Sequence, residues 1–198
     1  MKTPLLFLLV LAGLSGLQNT AHASTADAEE FLKKSVGDVV AIAKNTAGSE
    51  ALASRLRPVL LKTICFDTMT RRAVGPGWRQ FDPRQQDEAI RLFTALIIRT
   101  YSGKFTPGEL PDITYKPATA PAPGRVEVMT TTLYQGSRYE VAYRLEEQGD
   151  KGWRITDVVI EGVSMVANYR SQFDACFKAG GADAVLAALT KSDASLRK

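Results

Sequence analysis

The sequence predicts an α+β fold, an antiparallel sheet of about four strands set between N-terminal and C-terminal helices. Three observations carry this. Apolar residues recur at helical spacing through the first hundred residues. From Asp112 the period falls to two, with tight turns between the apolar runs. Helical spacing then returns after Ser164. Strands joined by such short turns pair antiparallel, because a parallel crossover needs a dozen or more residues.

The first element is a helix. Ala28, Phe31, Leu32, Ser35, Val36, Val39, Ile42 and Ala43 form one stripe, with Glu29, Glu30, Lys33 and Lys34 largely outside it. A loop spans residues 46–50. Residues 51–64 read as a helix that Pro58 should kink or divide. A short helix over 65–74 stops at Gly75-Pro76-Gly77. Asp82-Pro83-Arg84-Gln85 is a strong helix start, with Asp82 as cap, Pro83 first in the helix and Gln85 the capping-box partner. Ala89, Leu92, Phe93, Leu96, Ile97 and Tyr101 share a face of that helix, and Gly103 marks its end.

A turn over 107–111 and a short strand over 112–118 come next, then a proline-rich connection over 117–124. Residues 125–134 and 138–146 read as a hairpin about Gln135-Gly136-Ser137. A second turn over 149–152 leads into a strand over 153–160, rich in Val and Ile. Glu161-Gly162 breaks that run, and Ser164 can cap the closing helix. That helix runs over 164–179 to Gly180-Gly181. A final short helix holds Val185, Leu186 and Leu189, and the tail from Ser192 should fray.

Residues 1–23 read as a secretory signal. Lys2 supplies its positive start, Leu5 to Leu17 its apolar run, and Ala21-His22-Ala23 a small-x-small cleavage pattern. The run is short of the roughly 20 residues that span a bilayer. No cysteine sits at the cleavage point, which speaks against a lipoprotein. Residues 24–198 are then a single domain with 45% hydrophobic residues across the sequence as a whole. Removing Lys2 takes the net charge from +4 to +3, with both signs interspersed. That balance implies no nucleic-acid surface.

His22 is the only histidine and falls in the signal, which excludes Ser-His-Asp and Cys-His catalysis and histidine-ligated metal from the exported chain. Cys65 and Cys176 either pair in an oxidising compartment or stay as two buried thiols. Asp67, Asp157 and Glu161 read as hydrogen-bond acceptors from Arg71, Arg72, Arg99 or Arg170, or as caps on backbone N–H groups. Acid–base work by paired carboxylates is the alternative. Ser164 lacks the G-x-S-x-G spacing of a nucleophile, because Val166 stands where the last glycine belongs. The sheet face of Val128, Thr130 and Thr132 against Tyr139, Val141 and Tyr143 mixes small and large side chains, which suits either curvature or a cavity.

Five segments together carry a resemblance. They are Cys65-Phe-Asp67-Thr-Met-Thr-Arg71-Arg-Ala-Val74-Gly75 through Trp78-Arg79; Pro83 to Tyr101 with Arg99-Thr100-Tyr101; Tyr143-Arg144-Leu145; Gly152-Trp153-Arg154-Ile155-Thr156-Asp157 through Glu161-Gly162-Val163-Ser164; and Asn168-Tyr169-Arg170-Ser171-Gln172-Phe173. In this order the chain resembles the MlaC-like, toluene-tolerance family. The Gly75-Pro76-Gly77 turn and the two cysteines depart from its pattern.

The resemblance implies a periplasmic phospholipid carrier without cofactor, metal or catalytic residues. It implies partners in an inner-membrane ABC transporter complex and an outer-membrane lipoprotein complex. It also implies a curved sheet wrapped by helices around an apolar lipid cavity, with the headgroup near solvent. A hopanoid is the alternative ligand, because one branch of the family accompanies hopanoid synthesis. An enzyme on a cone-like sheet using Asp67, Asp157 or Glu161 is the competing reading, and a pure docking module the third. On the carrier reading the ligand-binding residues are Leu92, Phe93, Leu96, Ile97, Tyr101, Val128, Thr130, Val141, Tyr143, Val158, Ile160 and Val163. Burying ~30 methylenes at ~0.8 kcal/mol each returns roughly 24 kcal/mol, about what a two-chain lipid loses on leaving a bilayer. A carrier therefore needs a deep apolar site and little headgroup chemistry.

Overall fold

A computed structural model describes residues 24–104 and 109–195. The expected signal over residues 1–23 lies outside the described residues, as does part of the expected turn over 107–111. Among the described residues the fold is α+β, with five helices and a curved, unclosed antiparallel sheet.

Helix α1 (Thr25–Lys44) starts on a capping box in which Ser24 Oγ accepts from the Asp27 N–H and Asp27 accepts from the Ser24 N–H. Helix α2 (Ser49–Thr63) runs through Pro58 as one undivided element. The missing N–H leaves the Ser54 carbonyl without its usual partner, but Ser54 and Pro58 are both exposed, so water can take its place. On the opposite face Leu52, Ala53 and Leu56 are buried and hold the helix down.

Helix α3 (Phe66–Val74) stops at Gly75 (φ 72°), and a 3₁₀ turn covers Gly75–Gln80. A side chain at Gly77 would meet the Phe177 ring at 2.8 Å, so the turn packs directly on a later helix. Helix α4 (Pro83–Ser102) begins on the predicted Asp82–Gln85 capping box, with Pro83 in its first turn. Helix α5 (Met165–Ser195) is capped by Ser164, whose Oγ accepts from the Ala167 N–H at 3.0 Å, and is broken at Gly180-Gly181 as predicted.

The tail differs from expectation. The helix continues to Ser195, because Asp193 is buried and ion-paired with Arg99 of α4.

The sheet holds six strands rather than about four. They are β1 (Asp112–Tyr115), β2 (Thr119–Ala122), β3 (Arg125–Tyr134), β4 (Ser137–Glu147), β5 (Trp153–Ile160) and β6 (Val163–Ser164). Their order is β1-β3-β4-β5-β6, and β2 also pairs with β3. The proline-rich connection thus contains a short strand. Pro121 is tolerated there because β2 is an edge with no further partner to which a backbone N–H must donate. Both β3–β4 and β5–β6 close through two left-handed residues, Gln135-Gly136 (φ 53° and 73°) and Glu161-Gly162 (φ 50° and 76°). That geometry matches the right-handed twist of the strands. The register of β4 against β5 shifts between Arg144 and Leu145. A bulge of this kind bends a sheet.

Two main cores result. The helical core joins Met69, Val74, Phe93, Leu96, Phe173 and Leu189 among others. The sheet core packs Ala28 and Leu32 of α1 on Val126, Val128, Leu145, Trp153 and Ile155. A smaller cluster ties α1 to α2. Cys65 and Cys176 are both free. Cys65 donates from Sγ to Thr68 Oγ1 at 3.1 Å.

Candidate functional site

The register of the sheet gathers more than half of the predicted lipid residues. Val128 pairs with Tyr143, which pairs with Val158. Thr130 pairs with Val141, which pairs with Ile160, and Ile160 pairs with Val163. Residues opposite one another on paired strands point to the same side. Val128, Thr130, Val141, Tyr143, Val158, Ile160 and Val163 therefore share one inner face. Tyr115 of β1 pairs with Thr130 and extends the face by another strand.

Along the strands this face changes character. At one end Val126, Leu145 and Ile155 are fully buried under α1. In the middle Tyr143 and Val158 are half-buried. At the far end Tyr139 is 37% exposed and Val163 is 60% exposed. Between them Thr130 and Val141 are buried again, so the inner face is closed at one end and opens only at its far rim, at Tyr139 and Val163.

The closed end is also tied by polar contacts. The Cys65 N–H donates to the Ile155 carbonyl at 2.9 Å, fastening the α2–α3 junction to β5. Arg72 of α3 makes a two-pronged contact to Glu146 of β4, at 2.9 and 2.8 Å.

The α4 residues lie elsewhere. Leu92, Phe93, Leu96 and Ile97 are buried in the helical core, where Tyr169 and Phe173 of α5 meet the Phe93 ring edge-on. Tyr101 is half-buried beside them. Helix α4 packs on α2, α3 and α5, whereas α2, α3 and α5 contact β5 and α1 contacts β3. The two halves of the predicted site therefore belong to adjacent cores. Ile64 and Val158 pack against both cores and mark the seam between them. Sequence reasoning left α1, Ile64 and Tyr115 out of the site. The α1 stripe was visible, but nothing in a helical stripe says which surface it will cover.

Polar groups around the site are mostly satisfied. Asp157 is buried, and its carboxylate accepts from the Ser164 hydroxyl (2.6 Å), the Val166 N–H (3.1 Å) and Arg144 (3.1 Å). Its arginine is Arg144, not one of the four expected from sequence. Asp67 pairs with Arg71 one turn along α3, and Glu161 accepts from the Glu140 N–H at 2.5 Å. Arg170 lies over Gly75, where a side chain would come within 3.0 Å of its guanidinium. Glu140 is held down at about 2 by hydrogen bonds from Lys116, Thr131 and Arg138. Among the described residues no three His, Cys, Asp or Glu side chains are grouped to hold a metal.

Several tyrosines titrate high. Burial pushes the Tyr143 hydroxyl up to about 12, with a smaller contribution from Tyr115. Burial likewise raises Tyr115, Tyr101 and Tyr169. The indole N–H of Trp153 is buried at the closed end with no partner among the described residues. A separate cavity of about 290 Å³ at the end of α4 is lined by Ser49, Glu50, Arg99, Thr100, Gly103 and Lys104. It is polar and includes none of the predicted ligand residues.

The chain is similar to known proteins over most of its length. The family profile described as MlaC protein matches residues 33–191. Among solved structures, the phospholipid-binding protein from Ralstonia solanacearum, determined in complex with a phospholipid, matches with a TM-score of 0.79 at 28% identity. That match covers 86% of this chain and 99% of the other. No curated protein matches.

Proposed function

The chain belongs to the MlaC family, and from that premise we propose that it is a soluble periplasmic carrier of phospholipid. It takes lipid between an inner-membrane ABC transporter complex and an outer-membrane lipoprotein complex. Its action is binding and release, not catalysis. The acyl chains lie against the inner face of the sheet, along the seam between the two cores. The α4 residues Leu92, Phe93, Leu96 and Ile97 back that seam from the helical side, and Tyr101 stands near its rim.

The observation that carries this reading is the aligned, half-covered inner face. Seven of the predicted ligand residues stand in register on it, and it opens at Tyr139 and Val163. A merely structural core would be sealed at both ends. The likeness to a phospholipid-bound structure supports the same reading. So does the disposition of the acids. Asp157 fastens the start of α5 to the sheet through three hydrogen bonds, a positioning role that leaves no oxygen directed at a substrate. Among the described residues no helix is long and apolar enough to cross a membrane.

The test is extraction of the purified protein with organic solvent, followed by lipid mass spectrometry. About one phospholipid per chain is expected, with uptake of a labelled phospholipid from vesicles after delipidation. Absence of both would end the carrier reading, and a triterpenoid in the extract would change the ligand class. Ile160→Arg places a charge on the half-buried open side of the face. It should abolish lipid retention while the urea midpoint of the delipidated protein stays close to wild type.

A further inference from the structure

The inner face carries polar groups that a purely hydrocarbon cargo would not use. Tyr143 sits at its centre, between Val128 on β3 and Val158 on β5. Its ring is half-buried, and among the described residues no group hydrogen-bonds its hydroxyl. Tyr115 lies on the same face, also half-buried, opposite Thr130. Its hydroxyl is close enough to contribute to the raised titration of Tyr143. The buried neighbour Thr130 differs, because its hydroxyl donates to the Val141 carbonyl at 3.1 Å. The buried polar side-chain atoms without a partner among the described residues are on Arg99, Ser102 and Trp153, so the Tyr143 hydroxyl is not itself sealed from water. A lipid laid over the face would seal it, at a cost of about 1–3 kcal/mol unless the lipid supplies the missing bond.

Position restricts what that something is. A strand rises about 3.4 Å per residue, so Tyr143 lies roughly 7 Å below Val141 and about 14 Å below Tyr139 at the open end. A lipid whose headgroup stays at that end has its first methylenes and its linkage to glycerol at this depth. An ester linkage offers carbonyl oxygens that accept hydrogen bonds. An ether linkage, or a fused hydrocarbon ring, presents far weaker acceptors or none. Burial also keeps the Tyr143 hydroxyl protonated at neutral pH, and therefore a donor.

We infer that Tyr143, seconded by Tyr115, forms a polar subsite on the inner sheet face that donates hydrogen bonds to the ester carbonyls of a diacyl lipid. This rests on the carrier reading and deepens it: the chain selects ester-linked glycerolipids over ether-linked or ring hydrocarbons of equal length. The apolar rows on either side of Tyr143 supply affinity that is indifferent to the linkage. The hydroxyl supplies the discrimination. A site that hydrogen-bonds a ligand group rejects the analogue lacking it, because the protein's own polar group is then left unpaired.

The experiment is a competition. Delipidated full-length mature protein is mixed with vesicles of equal parts dioleoyl phosphatidylcholine and the diether analogue with the same headgroup and chains. The protein is re-isolated and its lipid is identified by mass spectrometry. Wild type should retain the ester lipid in roughly three- to tenfold excess, the ratio one net hydrogen bond produces. Tyr143→Phe removes only the hydroxyl, and should bring the ratio to near one. Tyr115→Phe should lower it part of the way. Equal retention of both lipids by wild type overturns the inference and leaves the carrier reading standing, as does an unchanged ratio in Tyr143→Phe. Retention of neither lipid by wild type overturns both. A thermal melt of each variant excludes unfolding as the cause of a changed ratio.

Discussion

At one end of the inner sheet face Leu145 and Ile155 lie under α1, and backbone and ion-pair contacts fasten the helices to the strands. At the other end the face carries the same kinds of residue, yet Tyr139, Ile160 and Val163 have no helix sealed over them. Nothing in residue type separates Val126 from Val163. What separates them is which helix reaches them, and how polar contacts pin that helix. On the proposed carrier function the sheet is a structural core at one end and the lipid-binding surface at the other, with Tyr143 and Val158 at the crossover between them. Stability should reside in the first and lipid capacity in the second.

The contrast can be broken most directly at the closed end. Leu145→Ala deletes most of a side chain that is 1% exposed. It should destabilise the protein by about 2–5 kcal/mol, read from urea unfolding, because the neighbours cannot collapse into the space. The crossover comes next. Asp157→Ala leaves the Ser164 hydroxyl and the Val166 N–H without their acceptor at the start of α5, and Arg144 with Glu127 alone. A loss of about 1–3 kcal/mol is expected, with phospholipid uptake from vesicles retained, since the carboxylate anchors the corner and does not touch the cargo.

Alkaline pH probes the same crossover. Tyr143 keeps its proton to about 12, while a tyrosine in the unfolded chain loses it near 10. The folded state then binds more protons than the unfolded state, so stability present below pH ~10 falls as pH rises toward 12. A decline of about 2 kcal/mol is expected, shared in part with Tyr101, Tyr115 and Tyr169. Tyr143→Phe should flatten that slope in unfolding curves measured across this range. The smallest effect belongs to the open end. Val163→Ala should change unfolding free energy by no more than about 0.5 kcal/mol. An equal penalty at Val163 and Leu145 would show that the two ends are one core.

Much of this architecture is legible in the sequence. The Asp82–Gln85 capping box, the Gly180-Gly181 break, the hairpin at Gln135-Gly136 and the strand–helix corner at Ser164 all rest on local chemistry, and each stands where its residues placed it. The misses have a common cause. Strand β2 forms because β3 offers it an edge, and the chain beyond Ser192 stays helical because Arg99 lies across from Asp193. Such partners are distant in sequence and leave no periodic trace.

The site shows the same division. Alternation put Val128, Thr130, Val141 and Tyr143 on one face, and register carried that face across to Val158 and Ile160. Periodicity likewise put Leu92, Phe93, Leu96 and Ile97 on one face of α4. It could not show that this face joins the helical core, with the sheet one layer away.

The Arg99–Asp193 pair has a further consequence for the order in which the molecule can be completed. A chain that crosses a membrane N-terminus first delivers α1 and β3 to β5, the whole of the sheet core, before α5. The helical core has to wait. Val185 and Leu189 are among its buried residues, and Asp193 is the last tie across it. The sheet core can therefore close before α5 is available, whereas the helical core cannot be completed until the final turns are free.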